Sequence, residues 1–122
     1  MMMNTQPTAS SKSRLITLWS LSGLLALAFL AAGGSKLAGV TYMVDLFNKV
    51  GLGQWFRYFT GSLEVVGAIG LLIPRYAFYA AVLLAIVMVG ATIAHITVLG
   101  SSPIAAIVML VLCGTVAYLR KP

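Results

Sequence analysis

The stretch "YAFYAAVLLAIVMVGATIAHITVLGSSPIAAIVMLVLCGTVAYL", residues 76–119, contains no Asp, Glu, Lys or Arg. Drawn out as one α-helix at ~1.5 Å per residue, it would be about twice as long as a bilayer core is thick. It must fold back on itself, and the turn is written in "GSSP", Gly100 to Pro103. Glycine ends a helix without steric cost, and proline, lacking an N–H, sits in the first turn of the next. The spacing therefore predicts two apolar helices, 76–99 and 103–119.

Moving toward the N-terminus, Arg57 and Arg75 bracket a second apolar run broken only by Glu64, which predicts a helix over 57–74. Leu15 to Ser35 is uncharged between Arg14 and Lys36, long enough for one span of roughly 20 residues, 15–35. A polar tail, 1–14, precedes it. Lys12 and Arg14 before a Leu/Ala-rich segment also fit a cleaved secretory signal, but the apolar run is longer than a signal core needs.

Composition agrees with four spans. The chain is 61% hydrophobic and 8% charged, against roughly 25% charge in soluble domains, and its mean hydropathy is +1.03. The expected fold is all-α: an integral-membrane four-helix bundle forming one domain over 15–122, with no room for a separate soluble catalytic domain. Lys12, Arg14, Arg75, Arg120 and Lys121 would lie on one side and Lys36, Lys49 and Arg57 on the other. Cytoplasmic flanks are the richer in Lys and Arg, so this count predicts an inner-membrane protein with both termini inside. The net charge of +6 then serves topology and does not argue for nucleic acid.

Between the first two spans, in "GVTYMVDLFNKVGLG" (residues 39–53), Val40, Met43, Val44, Phe47 and Val50 recur at helical spacing, with Thr41, Asp45, Asn48 and Lys49 mainly opposite. A short interfacial helix bounded by Gly39 and Gly51 is expected, resting in the headgroups or closing over the bundle mouth. Trp55, Phe56, Tyr58 and Phe59 follow as an aromatic belt.

The polar residues inside the spans are few. An unpaired carboxylate at a span's centre costs about 3 kcal/mol, so Glu64 needs a partner, a proton or a function. Lys36, Arg57, Glu64 and His95 all fall in the outer half of their helices. Two readings follow. In one, Glu64 pairs with Lys36 or Arg57 and fixes helix register. In the other, the four residues line a ligand pocket open to the outer leaflet, with the small residues Gly61, Gly67, Gly90, Ala91 and Ala94 leaving it space.

The inventory excludes several chemistries. A single Cys, Cys113, allows no internal disulfide or C-x-x-C pair and is expected to pack as a small hydrophobe. One His cannot ligate a haem from both sides. No G-x-G-x-x-G, P-loop, H-E-x-x-H or G-x-S-x-G is present. No catalytic or metal residues are assigned, and independent catalysis is not expected.

"AAGGSKLAG" at the end of the first span, "WFRYFTGSLEVVGAIGLLIPR" across the second and "AIVMVGATIAHITVLG" in the third together resemble the DoxX-like family of small four-helix bacterial membrane proteins. The likeness runs from about Leu15 to Arg120, and the family pattern falls on Lys36, Arg57, Gly61, Glu64, Gly67, Pro74 and His95. The family is named for a subunit associated with quinone-linked sulfur oxidation. The resemblance thus implies a membrane subunit or a binder of a quinone-like amphiphile, working with a redox partner protein or as a homo-oligomer. A purely structural subunit and a small proton-coupled multidrug-type transporter are the alternatives, although Lys36 and Arg57 would oppose a cationic substrate.

Overall fold

The computed structural model describes residues 9–122, which form five α-helices and no strand among the described residues. Helix α1 runs Ala9–Ala38, α2 Thr41–Val50, α3 Trp55–Leu71, α4 Ala77–Ala94 and α5 Ile104–Arg120; a π-helical turn, His95–Leu99, continues α4. The run 76–119 does double back. Gly100 adopts the left-handed conformation, φ 63°, and the Pro103 carbonyl accepts the Ile107 N–H at 2.9 Å to open α5.

Helix α1 packs most extensively on α3, α3 on α4 and α4 on α5, and α5 returns to α1. The core between them is built largely of small side chains: Ala26, Ala68, Ala80, Ala81, Ala106 and Cys113 are buried together with Leu25, Phe29, Leu71, Leu84, Met88 and Val116. Small residues let helix backbones come close when van der Waals contact, not water exclusion, must hold them. The outward faces are apolar too: Leu24, Leu27, Val66, Ile86 and Val111 are each at least 60% exposed. Helices apolar on every face are solvated by lipid, not by water. Four hydroxyls bond back to their own chain one turn earlier, Ser35 to Ala31 O, Thr92 to Met88 O, Thr97 to Ile93 O and Thr115 to Val111 O, so these four present no open donor to an apolar surround.

Two helices, Lys12–Ala38 and Ala77–Leu99, are long and apolar enough to cross a membrane. The other two long helices, α3 and α5, have 17 residues each, about 25 Å at helical rise. The helix expected over 57–74 begins earlier and stops at Leu71, because residues 72–76 turn tightly through Pro74. Helix α1, in contrast, extends beyond its uncharged run at both ends, carrying Lys12, Arg14 and Lys36.

Helix α2 packs at one end of the helices, touching α1, α3 and the π turn. Phe47 is its buried anchor and meets the Phe56 ring edge-on at 5.9 Å, while Asp45, Asn48 and Lys49 face out. The expected apolar side holds except at Val40, which is 48% exposed because it lies before the first turn of the helix.

Candidate functional site

The end of α1 is built from three small motifs in "AAGGSKLAG". Gly39, at φ 71°, takes the left-handed position after the helix; its N–H bonds Lys36 O at 3.3 Å and the Val40 N–H bonds Ser35 O at 3.2 Å. That pair of bonds is a Schellman termination, which only a residue at ease with positive φ completes. Three and six residues before Gly39 stand Lys36 and Gly33, both on the side that meets α3.

Helix α3 answers with Arg57, Gly61 and Glu64, buried and spaced so that they share one face. A Cβ on Gly33 would lie 2.8 Å from the Gly61 carbonyl oxygen, and one on Gly61 would lie 2.9 Å from Lys36 Cβ. This backbone-to-backbone approach places the Lys36 Nζ 2.8 Å from Glu64 Oε1, with the two side chains 13% and 3% exposed. The pair is a buried ion contact at hydrogen-bonding distance.

Arg57 does not share in that pair. It lies two turns before Glu64, level with the end of α1, and its Nη1 donates to the Lys36 carbonyl oxygen while its Nε donates to Gln54 Oε1 at 2.7 Å. The guanidinium thus caps the negative end of the α1 dipole. Its ring neighbour is Tyr58, 4.3 Å away. Gln54 then uses its Nε2 to bond Val44 O at 3.1 Å and Asn48 Oδ1 at 2.8 Å. One chain of polar contacts therefore runs from α2 through Gln54 and Arg57 to the end of α1, where Lys36 leads on to Glu64.

His95 stands apart. It opens the π turn, and its Nδ1 lies 2.7 Å from Ser101 Oγ, so its polar contact stays within the α4–α5 connection. No hydrogen bond or ion pair among the described residues joins it to Lys36, Arg57 or Glu64. The expected convergence of four ionisable groups is therefore three, and Arg57 enters it through a main-chain carbonyl.

The small residues expected to leave room do not do so at the pair. Gly61 is filled by α1 and Gly67 by Leu84, whose Cδ2 would lie 2.6 Å from an added Cβ; Gly90 faces open space. A shallow cavity of about 260 Å³ opens instead between α2 and the π turn, lined by Tyr42, Asp45, Leu46, Lys49, Leu99 and Ser101. An apolar groove of about 360 Å³ lies between α3 and α4, with Gly70, Tyr76 and Tyr79 among its walls. Neither is lined by Lys36, Arg57, Glu64 or His95.

Sequence reasoning missed the roles of Gln54, Asn48 and Ser101, whose partners are close along the chain but are reached across a loop or turn whose path the residue pattern does not give. Gln54 carried one usable signal, its place just before α3 and three residues ahead of Arg57.

The first two of the motifs that resembled a family thus have a physical task at one seam, the third forms α4 and the π turn, and a family model matches the chain over residues 20–118, which hold all three. The chain belongs to the DoxX-like family. The matched segment reaches from Ser20 in α1 to Tyr118 in α5, so the whole α1–α3 seam of this DoxX-like protein falls inside it. No curated protein and no solved structure matches the chain. Family membership and the apolar outer faces of its helices together indicate a membrane protein.

Proposed function

We propose that this DoxX-like chain is a multi-pass inner-membrane protein, a four-helix membrane bundle with both termini cytoplasmic, that serves as a non-catalytic membrane subunit. The observation that carries the reading is the closure of the polar chain on itself. Arg57 spends its donors on Gln54 and on the end of α1, and Glu64 already has its counter-charge in Lys36. Buried polar groups that satisfy one another fix helix register, which is what a scaffold in lipid needs. A proton-coupled exporter is disfavoured by the same pair, because its carboxylate must be free to exchange a proton for a cationic substrate.

Binding of a quinone-like amphiphile is the second reading, and one observation favours it. The Lys36 ammonium has three donors and keeps only the Glu64 contact, and the stacked rings of Phe56 and Phe59 lie in the first turns of α3, the helix that carries Glu64. In this reading Lys36 donates to a carbonyl oxygen of the head group, Glu64 holds Lys36 in place, and a redox partner supplies electron transfer.

The two readings separate on ligand capture. Protein extracted from its own membranes and examined by native mass spectrometry should carry partner subunits or further copies of the chain and no quinone. Saturable quinone binding in nanodiscs that is lost in Lys36→Ala and kept in His95→Ala would replace the scaffold reading by the second one.

A further inference from the structure

The opposite end of the bundle, where α1 begins and α5 ends, carries a second polar site. Lys12, Arg14, Arg75, Arg120 and Lys121 gather there, and the two carboxylate side chains of the chain, Asp45 in α2 and Glu64 in α3, are both at the other end. Arg14 Nη2 reaches the Leu119 carbonyl oxygen at 3.4 Å, and the Arg120 guanidinium lies over the Trp19 ring, 5.0 Å from its centroid. Two guanidiniums from different helices thus meet at the α1–α5 seam. The Arg120 Nε and Nη2 are covered and have no acceptor among the described residues. Leaving charged donors unpaired away from water is costly, and a native structure that does so is short of an acceptor.

We propose that this seam binds the phosphate of an anionic membrane phospholipid, with Arg120 as the bidentate donor and Arg14 as the second cation. Nε and a terminal nitrogen form the fork that matches two phosphate oxygens. No side-chain carboxylate is available at this end, so no side chain of the protein supplies the complementary charge. A phospholipid supplies it in the right place, because the neighbouring helix faces are apolar: Leu15 and Ile16 are 55% and 68% exposed beside the arginine pair and meet its acyl chains. Arg120, partly buried against Trp19, pairs with the phosphate by swinging off that ring toward the surface, which makes Trp19 the reporter of binding. The inference rests on the membrane-bundle reading, which is checked first by incorporation into nanodiscs.

The experiment uses the full chain carrying Trp55→Phe, so that Trp19 alone emits, in phosphatidylcholine nanodiscs doped with increasing phosphatidylglycerol. Trp19 emission should shift saturably with phosphatidylglycerol, and native mass spectrometry should find phosphatidylglycerol retained on the protein. Arg120→Gln should weaken retention by about tenfold, the scale of one charge-assisted pair, while Lys121→Gln and Arg75→Gln change it by less than about threefold. Equal losses for all three variants would mean diffuse attraction to a basic surface and would overturn the site. Equal retention of phosphatidylcholine, or the same Trp19 shift from inorganic phosphate over pure phosphatidylcholine, would overturn the lipid assignment. Failure of the wild-type chain to enter nanodiscs at all would overturn the bundle reading and this inference with it, and is seen before any lipid is titrated.

Discussion

Gly33 and Gly61 meet backbone against backbone: a Cβ on Gly33 would lie 2.8 Å from the carbonyl oxygen of Gly61, and a Cβ on Gly61 would lie 3.0 Å from that of Gly33. One turn beyond this contact on each helix stand Lys36 and Glu64, so the separation of α1 from α3 sets the length of the ion pair. Gly61→Ala should push the helices apart and cost about 1–3 kcal/mol, because the Gly33 carbonyl oxygen and the Lys36 Cβ that it would meet are fixed by the α1 backbone and cannot yield as the end of a side chain can. Gly90→Ala, where an added Cβ meets nothing within 4 Å, is the control and should leave stability unchanged or slightly improved. Unfolding in mixed detergent and denaturant measures both; equal effects would remove the close approach as the cause.

The ion pair makes a different prediction. Lys36→Ala leaves Glu64 buried without its counter-charge and should destabilise the fold by about 3–5 kcal/mol, whereas Lys36→Met with Glu64→Gln should recover most of that loss. A double-mutant cycle reads the coupling directly. A coupling energy near zero would mean that the two charges are solvated independently in the native protein.

Arg57 tests the capping role. Arg57→Gln removes the charge from the end of α1 and should cost about 1–2 kcal/mol, the range for a partly buried cation at a helix C-terminus. Hydrogen exchange should then quicken in the last turn of α1 and in α2, since Gln54 links the two, while α5 stays protected. Uniform exchange changes across all helices would argue for general loosening and against a local cap.

The proposed orientation rests on the five cations at the Arg14–Arg120 end. A reporter active only outside the inner membrane, fused after Pro122, should stay silent, and the same reporter inserted after Gly51 should be active. The reverse pattern would turn the bundle over and place the Lys36–Glu64 pair on the cytoplasmic side.

Much of this architecture is legible without coordinates. An uncharged run twice too long for one span has to turn, and Gly100 with Pro103 marks where. The amphipathic stretch between Gly39 and Gly51 has only one sensible helical face, and an isolated Glu64 in an apolar helix announces that something must answer it. These readings depend on local chemistry: hydropathy, turn residues and the cost of a bare charge in lipid. Which cation answers Glu64 is not a local property. Lys36 and Arg57 both carried the right charge at about the right depth, and the choice was made by the Gly33–Gly61 contact, which sets α1 and α3 in one register and sends Arg57 to a main-chain carbonyl. His95 lay at the expected depth too, but depth along a helix says nothing about direction around it, and the π turn directs its ring to Ser101. The basic end differs again. Its charges could be counted from the sequence, but the meeting of Arg14, Trp19 and Arg120 at one seam exists only because α5 returns to α1, closing the packing of the four long helices and bringing together residues a hundred positions apart.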